Sequence, residues 1–288
     1  MTDVAAEIDR LFDSLLPVPE DARARLYEAM RYAAIGGGKR LRPLLVLAAS
    51  RLFGIERRSA LRVGLAVECI HVYSLIHDDL PCMDDDDLRR GKPTTHKAFD
   101  ESTAILAGDC LHALAFEVLT DIHTHGDAAI RAELVAELAR ASGPVGMAGG
   151  QMMDLMAATE QMDLAAVTRL QQLKTGALIA FCVEAAGIMA RASHETRTSL
   201  RGYAHDLGLA FQIADDLLDV EGDEKLTGKK VGKDEAAGKE TFVSLLGVER
   251  AREQAHLLVE QAVDHLKSFG READLLRTIA RFAVERDH

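Results

Sequence analysis

Prolines, paired cysteines, positive charge and alternating strand patterns are all scarce in this 288-residue chain, and each scarcity narrows what it can be. The net charge is −12 and the pI near 5.4, which argues against a nucleic-acid partner, since that would require a basic face. The four cysteines, Cys69, Cys82, Cys110 and Cys182, form no CxxC pair, so neither a zinc site nor a disulfide frame is expected. A reduced, intracellular setting follows as the default. The acidic N-terminal segment MTDVAAEIDRLF lacks the apolar core of a signal peptide. No uninterrupted apolar run reaches the roughly 18 residues that suggest a membrane span. A soluble, cytoplasmic protein with no membrane span is the expectation. Only 6 prolines occur, and no Pro-rich or Ser/Gly-rich linker divides the chain. One domain over residues 1–288 is therefore expected, although length alone gives a prior of about two.

What is present is helix. Residues 48% hydrophobic in total are dominated by Ala and Leu, with short β-branched runs. Residues 61–77 are apolar nearly all round, the pattern of a central buried helix. Segments 103–122, 129–141, 163–190, 198–220 and 250–268 repeat apolar residues every three or four positions. Gly36-Gly37-Gly38, Gly91-Lys92-Pro93, Gly143-Pro144 and Gly149-Gly150 punctuate them. The polar, Gly/Lys-rich stretch 221–240 is expected to be a mobile loop that closes over a bound ligand. The predicted fold is an all-α single large helical bundle, its central helices ending at polar motifs around a cavity between helices.

Two acidic motifs stand out. In FQIADDLLD, Asp215, Asp216 and Asp219 occupy i, i+1 and i+4, one face of a helix, among the apolar neighbours Ile213, Ala214, Leu217 and Leu218. Three carboxylates there repel one another unless a cation lies between them. Hard oxygen ligands suit Mg2+, which keeps waters and bridges to substrate phosphates. An exposed acidic patch is an equally good reading of that motif taken alone. In HDDLPCMDDDD, Asp84 would stand about 120° around an ideal helix from Asp78. Pro81 forces the helix to distort or end near residues 80–83, which can swing Asp84 back toward Asp78 and Asp79. A flexible acidic loop is the alternative here. Two such clusters at the ends of apolar helices, facing each other, would cage divalent ions around a multiply charged anion such as diphosphate.

The matching cations are also present. GGGKRLRP offers Lys39, Arg40 and Arg42 after Gly38, where side chains and backbone can both reach phosphate. Arg89 and Arg90 follow the first cluster, Lys174-Thr175 interrupts an apolar helix, and Lys229, Lys233 and Lys239 decorate the Gly-rich stretch. His71, two turns before Asp78, is a candidate phosphate ligand, although a lone histidine there is more often core. Gln151 and Phe211-Gln212 are candidate cavity residues.

These motifs resemble the trans-polyprenyl diphosphate synthase family, and the chain looks most like its bacterial farnesyl diphosphate synthases. The resemblance is carried by GGGKRLRP, DDLPCMDDDDLRRGKPT, GGQ…D, KTG, FQIADDLLDVEGD and GKETF, in the family's order. It implies an isoprenoid-synthase-type fold, a homodimer, and a Mg2+-dependent transferase using isopentenyl diphosphate and allylic diphosphates. By position, Asp78, Asp79, Asp84, Asp215, Asp216 and Asp219 resemble the ligands of about three Mg2+ ions, with Mn2+ as the expected substitute. Arg89, Lys174 and Lys229 match contacts to the allylic diphosphate. Lys39, Arg42, His71 and Arg90 match the binders of isopentenyl diphosphate, and Gly38 and Lys239 are further substrate-binding candidates. Thr175 and Gln212 match residues beside the forming cation.

Tyr73 lies five residues before Asp78, about 7.5 Å back along a helix. In the family an aromatic at this offset accompanies farnesyl products, so Tyr73, with Ser74 and Ile70 around it, is the expected floor of the chain-elongation cavity. Geranylgeranyl diphosphate is the alternative product. A metal-dependent phosphohydrolase using His71 and His77-Asp78 is a more remote alternative, and leaves the second cluster and the basic motifs without a role.

Overall fold

The computed structural model describes residues 2–157, 161–221 and 240–285. Among these residues the fold is all-α, apart from one two-stranded hairpin. Most of the predicted stretch 221–240, with Lys229, Lys233 and Lys239, lies outside the described residues. The chain groups into two compact units, residues 1–47 with 56–135, and residues 48–55 with 136–288.

The first unit is built on helix α4 (Arg57–Asp78). It packs along α6 (Glu101–Thr120) and against α1 (Thr2–Leu15) and α2 (Ala24–Ala34). Val63, Leu65, Ala66, Val67, Cys69 and Ile70 of α4 are all fully buried, as the all-round apolar pattern of 61–77 requires. Each large aliphatic side chain so covered contributes about 1.5–3 kcal/mol. In α1, Val4, Ile8 and Phe12 recur every fourth residue and are buried. α6 starts at Asp100, whose carboxylate accepts from the Thr103 backbone N–H at 2.7 Å, satisfying an orphan donor of the first turn. The short α5 (Thr95–Ala98) precedes it. Strands β1 (Leu88–Arg89) and β2 (Lys92–Pro93) pair antiparallel across Arg90 and Gly91, both at positive φ, the geometry of a two-residue hairpin turn.

In the second unit, α11 (His194–Glu221) packs on α13 (Val248–His265) and α10 (Ala177–Met189). Fully buried Tyr203 donates its hydroxyl to the Leu276 carbonyl at 2.8 Å, docking α14 (Asp274–Glu285). α8 (Met147–Ala157) lies against a π-helical turn, Gln172–Gly176, which joins α9 (Leu164–Gln171) to α10. The expected single helix 163–190 is thus interrupted at the Lys174-Thr175 site. Helices α3 (Leu41–Arg51) and α7 (Ala128–Ser142) contribute residues to both units.

The expectation about membrane spans needs correction. Arg57–Asp78, Glu101–Thr120 and Leu164–Met189 are long and apolar enough to cross a membrane by length and composition. Isolated charges interrupt the apolar runs, yet the mean hydropathy of an 18-residue window still reaches 1.4 in the first two. In α4, two thirds of that window is covered by the protein itself.

Candidate functional site

Helix α4 ends at Asp78, as Pro81 demands, and the chain then folds back on itself. Leu80 N–H donates to the His77 carbonyl at 3.2 Å, Met83 N–H to Leu80 at 2.9 Å, and Asp84 N–H to Asp78 at 2.8 Å. The last bond brings the backbone of Asp84 back to Asp78, and Asp85 follows at φ 49°. Asp84 is exposed, whereas Asp79 is only 2% exposed.

Arg89 reaches Asp79 from the hairpin. Its Nε donates to both carboxylate oxygens at 2.9 Å and Nη2 to Oδ1 at 2.6 Å. Burial pushes the Asp79 carboxyl upward, and this guanidinium opposes the shift. A cavity of about 240 Å3 opens beside the pair. Gly36, Gly37, Gly38, Glu68, His71, Asp79, Arg89 and Arg90 line it, with Val72, Leu75 and Ile76 as its apolar wall. His71 is held well below its ordinary value, by burial first and then by Arg42, Arg90, Arg89 and Arg40, so the imidazole is neutral near pH 7. Gly38 has φ 80°, and a Cβ there would stand 2.7 Å from Arg90 Nη1. The positive φ favours glycine here, whereas the Arg90 tip could shift to admit a Cβ.

Of the loop's cations, Lys39 is exposed and Arg42 half-buried. Arg40 is different from its expected place among the phosphate contacts. Its side chain is 1% exposed, bonded to Glu68 at 2.8 Å, to Asp9 at 2.7 Å and to the Ala34 carbonyl. A guanidinium buried in this way, with both terminal nitrogens bonded, builds the loop, and its Nε is buried without a partner among the described residues.

Tyr73, the expected floor, is not among the residues that line the cavity beside Asp79 and turns toward α6 instead. Its ring meets His77 edge-on at 5.7 Å and His112 of α6 at 5.0 Å, and His112 continues to Phe116. Ser74 turns its hydroxyl back to the His71 carbonyl at 2.9 Å, and Ile70 is fully buried one turn deeper. His77 packs its ring on Gly108 and its Nε2 lies 3.1 Å from the Ile105 carbonyl. That engagement draws its imidazole toward α6, which weakens the His77-Asp78 hydrolase reading.

The second unit carries the other candidates. Lys174, on the π-helical turn, donates to Asp154 of α8 at 2.8 Å, with Thr175 next to it. π-helical turns in α-helices are frequent at functional sites because they re-aim single side chains. Gly150 makes this packing feasible, since a Cβ there would fall 2.2 Å from the Lys174 nitrogen. Gln151 Nε2 is buried with no partner among the described residues. On α11, Asp215 and Asp219 are half-buried and Asp216 is 6% exposed. Asp216 accepts from the Phe242 N–H at 2.9 Å, tying α11 to the start of α12 (Phe242–Leu246), the end of the GKETF motif. Phe211 and Gln212, half-buried, precede it by one turn.

Six aspartates of these two motifs offer hard oxygen donors of the kind Mg2+ takes. Among the described residues no three His, Cys, Asp or Glu side chains stand together as a ready-made metal cluster. Each motif's carboxylates, taken by themselves, suit an ion completed by waters and substrate phosphate oxygens.

Some residues of the site carry no signal in the sequence reading. Thr94, 2% exposed, donates its hydroxyl to the Asp86 carbonyl at 2.8 Å and lies 3.2 Å from His96 Nδ1, latching the Asp-rich turn to α5. Tyr32 donates to the Pro93 carbonyl at 2.7 Å. Glu68 is a charge in an apolar helix, the kind of local inconsistency that marks a buried partner.

Comparison with known proteins identifies the family. The polyprenyl synthetase family model matches residues 23–279. A farnesyl diphosphate synthase of Bacillus subtilis (strain 168) is 44% identical over 264 residues, 91% of this chain and 89% of that one. Geranylgeranyl pyrophosphate synthase 4 of Arabidopsis thaliana is 40% identical, covering all of this chain and 77% of its own. A solved apo structure of an FPP/GFPP synthase from Zymomonas mobilis shares 60% identity, covers 98% of this chain and 96% of that one, and superposes with a TM-score of 0.91. With most of its length matched in both sequence and fold, the chain belongs to the polyprenyl synthetase family.

Proposed function

We propose that this prenyltransferase condenses isopentenyl diphosphate with an allylic diphosphate, dimethylallyl or geranyl, and releases inorganic diphosphate, with farnesyl diphosphate as the main product. The observation that carries the reading is the cavity in the first unit, where the Gly36–Gly38 loop, His71, Arg89 and Arg90 converge beside Asp79 and an apolar wall. An anionic head and an isoprenoid tail need those two surfaces side by side.

Asp78, Asp79, Asp84, Asp215, Asp216 and Asp219 are the residues that would hold Mg2+. Bound Mg2+ supplies positive charge for the diphosphate that leaves as the allylic C–O bond breaks. The protein's own part is electrostatic and geometric. Arg89 and Lys174 are held by Asp79 and Asp154 at 2.6 and 2.8 Å, so they need little reorganisation when charge develops on the leaving group. Lys229 and Lys239 are assigned to the same anions by resemblance. Gly38, Lys39, Arg42, His71 and Arg90 hold the second diphosphate, which sets the two reacting carbons at short range. The apolar wall excludes water from the allylic cation and leaves the isopentenyl double bond as nucleophile; once the C–C bond forms, the condensed cation loses a proton to the released diphosphate. Thr175 and Gln212 are assigned beside the cation by resemblance. Tyr73, braced by His112, limits the tail to fifteen carbons. The geranylgeranyl alternative differs only in the depth of that floor. The same reading takes the enzyme as a cytoplasmic homodimer.

The test is incubation with Mg2+, isopentenyl diphosphate and each allylic primer in turn, with products separated by chain length. Farnesyl diphosphate as the dominant product supports the proposal. Phosphate release without any C5 addition refutes it.

A further inference from the structure

The loop that carries Lys39 and Arg42 is conformationally costly. Gly36, Gly38 and Arg40 all have positive φ, at 75°, 80° and 51°, and a left-handed arginine in particular needs its surroundings to hold it. Asp9 of α1 is placed to do so. Its Oδ2 accepts from the Gly36 backbone N–H at 3.1 Å, and its Oδ1 accepts from Arg40 Nη2 at 2.7 Å. Arg40 in turn reaches Glu68 of α4 at 2.8 Å. One carboxylate thus grips both ends of the strained segment, and it lies outside residues 23–279, the region matched by the family model.

We propose that Asp9 is a positioning residue for the diphosphate-binding loop. It sets the affinity for isopentenyl diphosphate from α1 by fixing the backbone from Gly36 to Arg40. The inference rests on the assignment of this loop to the second diphosphate.

Two effects of removing Asp9 have opposite signs. Deleting a negative charge near an anion site by itself tightens anion binding. Releasing the loop weakens it. Asp9→Asn separates them, because an amide has one acceptor oxygen and so loses one of the two bonds to a donor–donor encounter. The KM for isopentenyl diphosphate is expected to rise about tenfold, the scale of one charge-assisted hydrogen bond. Turnover at saturating substrates and the KM for geranyl diphosphate stay within about twofold. Asp9→Glu keeps both acceptors and recovers part of the loss. Glu7→Gln is the control, since Glu7 on the same helix pairs with Arg57 at 2.6 Å and leaves the loop untouched. Arg42→Ala tests the loop assignment itself. A raised KM for isopentenyl diphosphate in Arg42→Ala and Asp9→Asn, but not in Glu7→Gln, supports the proposal. If Arg42→Ala raises it and Asp9→Asn leaves it unchanged or lowers it, Asp9 does not position the loop. Equal increases in Glu7→Gln and Asp9→Asn overturn it too, by showing that only the docking of α1 matters. An unchanged KM in Arg42→Ala removes the loop assignment and the inference with it.

Discussion

Gly150→Ala sets helix propensity against tertiary geometry. Alanine in the interior of an exposed helix is worth about 1 kcal/mol over glycine, so propensity alone predicts a more stable protein. The structure predicts the reverse. An added Cβ would lie 2.2 Å from the Lys174 backbone nitrogen and 2.6 Å from its Cα, while ordinary contact begins at 3.4 Å. The shortfall is about 1.2 Å, and the obstructing atoms are backbone, which cannot rotate aside. Either α8 or the π-helical turn must move by that amount. Overpacking of this kind costs about 1–3 kcal/mol. Set against the propensity gain, the net is a loss of about 0–2 kcal/mol, or a fall in Tm of up to about 8 °C at 2–4 °C per kcal/mol. The kinetic effect should be larger. The turn carries Lys174 and Thr175, and displacing a positioned group by about 1 Å costs about a hundredfold in rate. The assays are thermal unfolding and the steady-state rate of farnesyl diphosphate formation. A Gly150→Ala enzyme with wild-type kcat/KM and a raised Tm would refute both the close approach and the role given to the turn.

Three further outcomes are expected. Asp78→Ala or Asp215→Ala should lower turnover by orders of magnitude with an unchanged circular dichroism spectrum, and wild-type rates at saturating Mg2+ in either variant would exclude the proposed ligand role. Tyr73→Ala removes the ring packed on His77 and His112 and should lengthen the product by at least one C5 unit, read by chromatography of the dephosphorylated alcohols; an unchanged product ratio would show that the floor lies elsewhere. His71, whose folded pKa lies below its unfolded value of about 6.5, favours the folded state fully above that value and progressively less as pH falls through it toward the folded pKa. Denaturant titrations at pH 7.5 and 5.5 should therefore show a smaller acid-induced loss of stability in His71→Asn than in the wild type, and equal losses would remove His71 as the cause.

The legible parts of this protein are those set by short-range chemistry. Helices α4, α6, α11 and α13 are readable because periodic apolar residues are local signals. The turn after Asp78 is readable because Pro81 lacks an N–H and clashes with the preceding turn, whatever surrounds it. The aspartate and basic motifs are likewise legible, since their residue types and spacings are themselves the chemistry.

Other features depend on what a side chain meets after the chain has closed on itself. Arg40 reads as a third phosphate contact beside Lys39 and Arg42, yet it is buried against Asp9 and Glu68, and no spacing rule tells a cation that faces a ligand from one that faces a carboxylate on another helix. The π-helical turn at Lys174 is invisible in a sequence that reads as one continuous helix, because it reflects the packing of Gly150 against that turn. Asp79 and Asp216 look equivalent to their neighbours in the motifs, and only burial against Arg89 and the Phe242 N–H distinguishes them. Sequence by itself determined helices α4, α6, α7, α11 and α13, the break after Asp78 and the inventory of acidic and basic groups, because those follow from backbone sterics and periodicity within a few residues. Tertiary structure alone decided which of those charges are committed to building the protein and which remain for a ligand, because a charge's partner is chosen by burial and distance between segments that the chain order keeps apart.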